Sequence, residues 1–406
     1  MSTEMSNGES GINDFPATGI DPYSDEFLTD PYPYFEEIRA IGPLVRLEKY
    51  DCLVTADYGV ISGALRDPDT FCSSAGVGLS NFHREKPWRP PSLLLEADPP
   101  EHTRVRKVLS QILNPKALRD LRGKFEQEAE RIVSEVVEQG SFDAVTQLAE
   151  VYPLKVFPDA VGLPAQGREN LLPYGSMVFN AMGPRNHLFE EAFENAKSVQ
   201  EWIMDHCRRE NLSPDGLGAE IHKAVDTGDV TEEEACLLVR SFLSAGVDTT
   251  VNSLGSAINC FVRHPDQWEL LVENPSLARK AFEEVIRYEG TAHSFYRTTT
   301  RPVDLAGMHI PEGTKILALL AGANRDPEQW QDPDKFLINR DCRGHVGFGM
   351  GIHGCLGQMV ARMEGELVLK ALATRVKAIR STGDPVYRLN NSLRGLASLP
   401  VEVELL

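Results

Sequence analysis

The sequence has no Cys-x-x-Cys pair. Its seven cysteines, Cys52, Cys72, Cys207, Cys236, Cys260, Cys342 and Cys355, are odd in number and widely scattered. That spacing predicts neither a disulfide framework nor a structural zinc site. Positive charge is scarce: 41 Lys and Arg stand against 60 Asp and Glu, a net charge of −19. Such a chain is repelled by nucleic acid and by anionic membrane surfaces, and any anionic ligand needs local donors. No apolar run approaches the length of a membrane span. The opening MSTEMSNGESGINDF lacks the basic start and apolar stretch of a secretory signal. The expectation is a cytoplasmic protein that binds neither nucleic acid nor membrane.

The chain also has no internal repeat and no long linker. What it has is 406 residues, 42% of them hydrophobic, enough for a large buried core. Helical spacing of apolar residues dominates from EHTRVRKVLSQIL onward, and the strand-like pieces, such as TTTRPVDLAGMHIPEGTKILALL, are short and interrupted by Gly and Pro. The pattern predicts a disordered tail over residues 1–20 and one domain over 21–406, mainly α with a small β region.

The stretch FGMGIHGCLG, residues 348–357, carries the chemistry. Gly349, Gly351 and Gly354 spell the G-x-G-x-x-G of dinucleotide loops, but the lead-in NRDCRGHVGF is not the buried strand that such a loop requires. A buried structural cysteine leaves the flanking glycines, His353 and Phe348 unexplained. A thiolate ligand to a large flat metal complex explains them. Glycine lets backbone approach the complex, and the N-terminus of the following helix stabilises the anionic sulfur of Cys355. Elsewhere, FLSAGVDTTVNS places Asp248, Thr249 and Thr250 inside an apolar helix, where they cost helix propensity. They fit either a satisfied polar patch in a core or a site.

FGMGIHGCLG matches F-x-x-G-x-x-x-C-x-G at every fixed position, and in this the chain resembles the cytochrome P-450 monooxygenases. The resemblance implies the P-450 fold and haem b (iron protoporphyrin IX), with Cys355 as the axial ligand to iron. It further implies that Phe348 packs beside the haem and that His353, together with His102 and Arg106 of HTRVR and Arg297 of FYRTTT, meets the propionates. Ala245 and Gly246 of the A-G-x-x-T motif would leave room for O2, with Thr249 and Asp248 delivering protons. Glu284 and Arg287 of FEEVIRYE, with Arg340 of PDKFLINR, match a structural E-x-x-R motif and its arginine partner. The implied electron source is a separate ferredoxin served by an NAD(P)H-dependent ferredoxin reductase. Arg104, Arg343 and Arg362 are candidate docking contacts.

Further stretches, EKPWRPPSLLLEADPP, VFNAMGP and RSFLSAGVDTTVN among them, are similar to the bacterial para-methoxybenzoate O-demethylases of that family. This resemblance implies a small aromatic carboxylic acid as substrate. Its carboxylate would be received by Arg89, Ser92 and Ser241, with Arg240 and Ser244 nearby; its ring and para group would be held by Leu95, Phe179, Met182, Ala245 and Phe295. Apart from the resemblance, Arg89 reads as a solvated loop arginine. Met182 departs from the phenylalanine frequent in that family, which leaves other para substituents and cinnamate-like acids open. A non-catalytic haem sensor or carrier and a peroxide-driven haem-thiolate enzyme are the alternatives, and Asp248 with Thr249 argues against both.

Overall fold

The computed structural model describes residues 11–406, and helices dominate it. They begin where the sequence supplies caps. Asn114 accepts from the N–H groups of Lys116 and Ala117 at the head of Pro115–Val137, with proline at the first position. Thr231 and Glu234 form a reciprocal capping box at the head of Glu232–Ala245. Helix Ala278–Glu289 ends at Gly290, which is left-handed (φ 57°) and so close to the next layer that a Cβ would stand 2.5 Å from that of Ala321.

One large apolar core joins these helices to Val151–Val161, Leu171–Asn180, Asp248–Arg263 and Gln358–Ala373. Asp248–Arg263 is buried over nearly its whole surface and is the element around which the others pack. A six-stranded sheet lies beside this core in the order Ala17–Thr18, Val45–Leu47, Cys52–Thr55, Lys315–Leu319, Ser294–Thr299, Phe71–Cys72. Along Ser294–Thr299 the period of two sends Phe295 and Arg297 to an internal cavity, while Tyr296 goes to a second apolar cluster and bonds Tyr23 through its hydroxyl at 2.9 Å.

The fold bears out the mainly α reading with a small β region. Two expectations are corrected. Residues 11–20 are structured: Phe15 is buried in the cluster that holds Leu44 and Leu53, and Ala17–Thr18 pairs in parallel with Arg46–Leu47. Residues 1–10 of the expected tail lie outside the described residues. The long apolar helix around Asp248 is two helices, Glu232–Ala245 and Asp248–Arg263, broken at Gly246–Val247.

Behind the cysteine loop lies a polar node in which Glu284 and Arg287 are completely enclosed. Glu284 receives Arg287 Nε (2.7 Å) and Nη2 (2.8 Å), Arg340 Nε (3.1 Å) and the Leu337 N–H (2.9 Å). Arg287 also donates to the carbonyls of Asn324, Pro333 and Lys335. The node therefore ties the Ala278–Glu289 helix to the segment that leads into the cysteine loop. Arg287→Ala leaves buried Glu284 with only Arg340 Nε and the Leu337 N–H, removes the donor to three carbonyls and empties a fully buried site, and we expect a loss of about 3–5 kcal/mol in denaturant unfolding. The same experiment on Arg131→Ala, which removes an exposed helical pair with Glu135, should show almost no change.

Candidate active site

A cavity of about 260 Å³ sits between the cysteine loop, the broken helix and the strand edge, and its lining is mostly apolar. Gly347, Phe348, Gly349, Gly354, Cys355 and Gly357 form one wall. The loop needs its glycines: Gly349 and Gly351 have φ of 67° and 66°, and a Cβ on Gly351 would stand 2.3 Å from the Leu65 carbonyl. Cys355 N–H donates to the Phe348 carbonyl at 2.7 Å, closing the turn. Burial pushes the Cys355 thiol up, while the Gly357 and Gln358 N–H groups and the guanidiniums of Arg106 and Arg362 act the other way. A thiolate here calls for a cation in the cavity. Among the described residues lining the cavity, Cys355 is the one thiol.

A second wall comes from the helix break, with Ala245, Gly246, Thr249 and Thr250 facing the cavity. A Cβ on Gly246 would stand 2.2 Å from the Phe157 ring, so only glycine fits. Thr249 Oγ1 donates to the Ala245 carbonyl at 2.8 Å, across the break. Asp248 does not line the cavity; it packs on Gly175, where a Cβ would meet its Oδ2 at 2.5 Å. Burial pushes the Asp248 carboxyl up to about 7, with Arg388 opposing. Arg388 forms a half-buried pair with Glu150 at 2.7 Å. Asp248 thus stands between a charged pair at the surface and the hydroxyl in the cavity.

At the rim, two histidines and two arginines converge with few protein acceptors among them. The His102 and His353 rings lie 4.3 Å apart between centroids, tilted by 49°; all four ring nitrogens are buried without a hydrogen bond, and Asp98 Oδ1 lies 3.9 Å from His353 Nε2. Burial, with His353 and Arg106 nearby, lowers His102 to about 4. Arg297 is buried, donates to the Tyr296 carbonyl, and falls to about 10 through burial. Arg106 lines the cavity and donates to the Gly354 carbonyl at 2.6 Å. Buried donors of this kind are costly unless they meet anions, and the two carboxylates of a haem fit them. Burial opposes ionisation of the neighbouring Asp98, yet His353 and the Ser73 and Ser74 N–H groups hold its carboxyl well below the usual range.

At another end of the cavity Arg89, Ser92, Ser241 and Ser244 come together, with Leu95, Phe179, Met182, Ala245 and Phe295 along the walls. Arg89 is not a free guanidinium: its two terminal nitrogens bond Glu96 at 2.9 and 3.3 Å. Its Nε–H is buried without a partner. Ser92 Oγ and Ser241 Oγ lie 3.2 Å apart. Arg240, buried behind them, donates to the carbonyls of Pro90 and Pro91. Two guanidiniums against one carboxylate leave a single uncompensated positive charge beside the hydroxyls, the complement of one carboxylate.

The family model for cytochrome P-450 matches residues 169–404. The chain belongs to the cytochrome P-450 family. It is 53% identical over 96% of its length to cytochrome P-450 CYP199A2 of Rhodopseudomonas palustris, covering 94% of that protein. It is 31% identical over 94% of its length to 6-deoxyerythronolide B hydroxylase of Saccharopolyspora erythraea, covering 98% of it. Among solved structures, cytochrome P-450 CREJ in complex with (4-ethylphenyl) dihydrogen phosphate matches with a TM-score of 0.82 and 25% identity, over 95% of this chain and 99% of that one. As a P-450, the protein is a haem-dependent monooxygenase that uses O2 and a redox partner. No helix of the described residues is long and apolar enough to cross a membrane.

Two features of this P-450 escaped the sequence. Glu364 lines the cavity from the helix after the cysteine loop; burial pushes it up to about 8, Thr250 Oγ1 donates to its Oε2 at 3.3 Å, and Oε1 has no partner. Its signal was a glutamate on the same helical face as Val360 and Leu367. Glu96, the partner of Arg89, had none. The candidate docking arginines are engaged: Arg104 with Glu234, Arg343 with Asp341, and Arg362 with Glu283 and, at 4.4 Å, over the Phe348 ring.

A carboxyl raised on folding makes the native state bind more protons than the unfolded chain, so stability falls as pH rises between the two values. Asp248→Asn should therefore gain on the parent by on the order of 1 kcal/mol per pH unit up to about pH 7 and level off above it. Denaturant unfolding of both proteins at pH 5, 6, 7 and 8 measures this. A difference independent of pH contradicts the buried, protonated Asp248.

Proposed function

We propose that this monooxygenase oxidises a para-substituted benzoic acid, foremost para-methoxybenzoate, which it O-demethylates to para-hydroxybenzoate and formaldehyde. The observation that carries this reading is the unpartnered Arg89 Nε–H beside Ser92 and Ser241 at one end of an otherwise apolar cavity. The para-alkylphenyl phosphate bound by the CREJ relative, an aromatic ring bearing an anion, supports it. So does the resemblance of the Trp-Arg-Pro-Pro-Ser loop to the para-methoxybenzoate demethylases. Met182, a flexible thioether in the wall, favours a second reading in which bulkier para groups or cinnamate-like acids also enter.

In this reading Cys355 ligates the iron, Phe348 packs on the haem, and His102, Arg106, Arg297 and His353 receive the propionates. Bound there, haem with a thiolate ligand supplies the reductive activation of O2. The residues of the chain do the rest. Arg89, Ser92 and Ser241 hold the carboxylate and Ser244 lies beside them, so the ring of a rigid acid has one orientation and its para group faces away from them. Leu95, Phe179, Met182, Ala245 and Phe295 exclude water from the ring. Thr249 Oγ1 hands on a proton in the cavity, and Asp248, with a carboxyl near neutrality, reloads it from the Arg388–Glu150 side. One O2, two electrons and two protons convert the methyl ether to phenol, formaldehyde and water. We assign the electrons to a separate ferredoxin with an NAD(P)H-dependent reductase, and the protein to the cytoplasm.

Charge-assisted hydrogen bonds contribute about 1.5–3 kcal/mol each, a tenfold or greater preference for the acid over its ester. Optical titration of the holoenzyme should show para-methoxybenzoate driving a low-to-high spin shift, with its methyl ester and meta isomer at least roughly tenfold weaker. Arg89→Ala should weaken the acid while leaving the resting haem spectrum unchanged. Equal affinity for acid and ester would sink the benzoate reading.

A further inference from the structure

Away from the cavity, at the corner where helix Leu217–Asp226 meets the first turn of Glu232–Ala245, three potential ligand atoms converge. They are His222 Nδ1, a Glu232 carboxylate oxygen and Cys236 Sγ, all within 4.8 Å of one another. His222 is fully buried, and its Nε2 lies 2.9 Å from the Cys207 carbonyl. A carbonyl only accepts, so Nε2 carries the proton and, in the neutral ring, Nδ1 presents a lone pair. That lone pair lies 2.9 Å from Glu232 Oε1, and Nδ1 has no hydrogen-bond partner. Two acceptors so close are bridged either by a proton or by a metal cation, and the Cys236 sulfur beside them adds a third ligand atom that a proton does not need.

We propose that His222, Glu232 and Cys236 bind a divalent cation of the zinc class, pinning the start of the helix that forms the cavity wall. A histidine whose other nitrogen donates to a backbone carbonyl is oriented as metal-bound histidines are. Imidazole, carboxylate and thiolate form a set that suits Zn²⁺ and not Mg²⁺. Tetrahedral bonds of about 2.0–2.3 Å separate ligands by roughly 3.4–3.8 Å, so the 2.9 Å His222–Glu232 contact widens and the rest of the spread, within 4.8 Å, narrows through small rotations of the exposed Glu232 and half-buried Cys236 side chains. A water completes the coordination. Burial and the Glu232 carboxylate raise the Cys236 thiol, with Glu210 adding to this and Arg208 opposing. Metal binding expels the Cys236 proton to solvent, so affinity rises with pH.

Calorimetry of ZnCl2 with the holoenzyme tests the site, alongside alkylation of Cys236 read by mass spectrometry. Among the described residues, Cys236 is the one free cysteine that is neither buried nor in the cavity. Expected are one equivalent bound, protection of Cys236 by Zn²⁺ but not by Mg²⁺, and a loss of at least roughly tenfold in affinity in both Cys236→Ser and Glu232→Gln. Neither side chain is buried, so both variants should fold, with an unchanged haem spectrum as the check. No saturable binding, or binding equal to the parent in both variants, overturns the proposal.

Discussion

A sulfur anion cannot be left alone in an apolar cavity, and the site is organised around that constraint. Burial alone drives Cys355 toward the neutral thiol. The loop offers what a small backbone can, two N–H groups beside the sulfur, and glycines that leave the space in front of it open. The remaining charge must come from a metal, and haem iron is the cation that the family supplies. The enclosed Glu284 node, with Arg287 and Arg340 on one carboxylate, fixes the segment that carries the loop. Preorganisation of the sulfur is therefore tied to the stability of the fold.

The same logic of unmatched charge governs both ends of the cavity. In a protein of net charge −19, an anion enters only where donors have been left without acceptors. At the rim, two histidines are buried without hydrogen bonds beside the buried Arg297. At the opposite end, Glu96 cancels one of two guanidiniums and leaves Arg89 Nε–H buried without a partner. The pairing with Glu96 also fixes Arg89 in place, so its free donor is oriented before any anion binds. The buried carboxyls, Asp248 and Glu364, are raised by the same desolvation and are suited to carrying protons instead of charge.

Much of this was legible in the chain because backbone chemistry leaves marks in sequence. The cysteine loop requires glycine at defined places, and the helix break requires Ala-Gly before a polar run. The nine substrate contacts that the family resemblance implied, and residue chemistry alone did not, line the cavity. What sequence could not show were pairings across folded space. Nothing in the order of residues says that Glu96 neutralises Arg89, or that Arg362 lies over Phe348. The Asp248 side chain points behind its helix, a matter of a single residue's angle at the break. The polar opening of the chain concealed Phe15, whose burial orders residues 11–20.

The most direct measurement is product analysis of the haem-loaded enzyme turning over para-methoxybenzoate with a surrogate ferredoxin and reductase. The account predicts para-hydroxybenzoate and formaldehyde in equal amounts, each tracking NADH consumed, and neither product from meta-methoxybenzoate. Oxidation of the ring with the ether intact, or NADH consumed with no organic product, would contradict it.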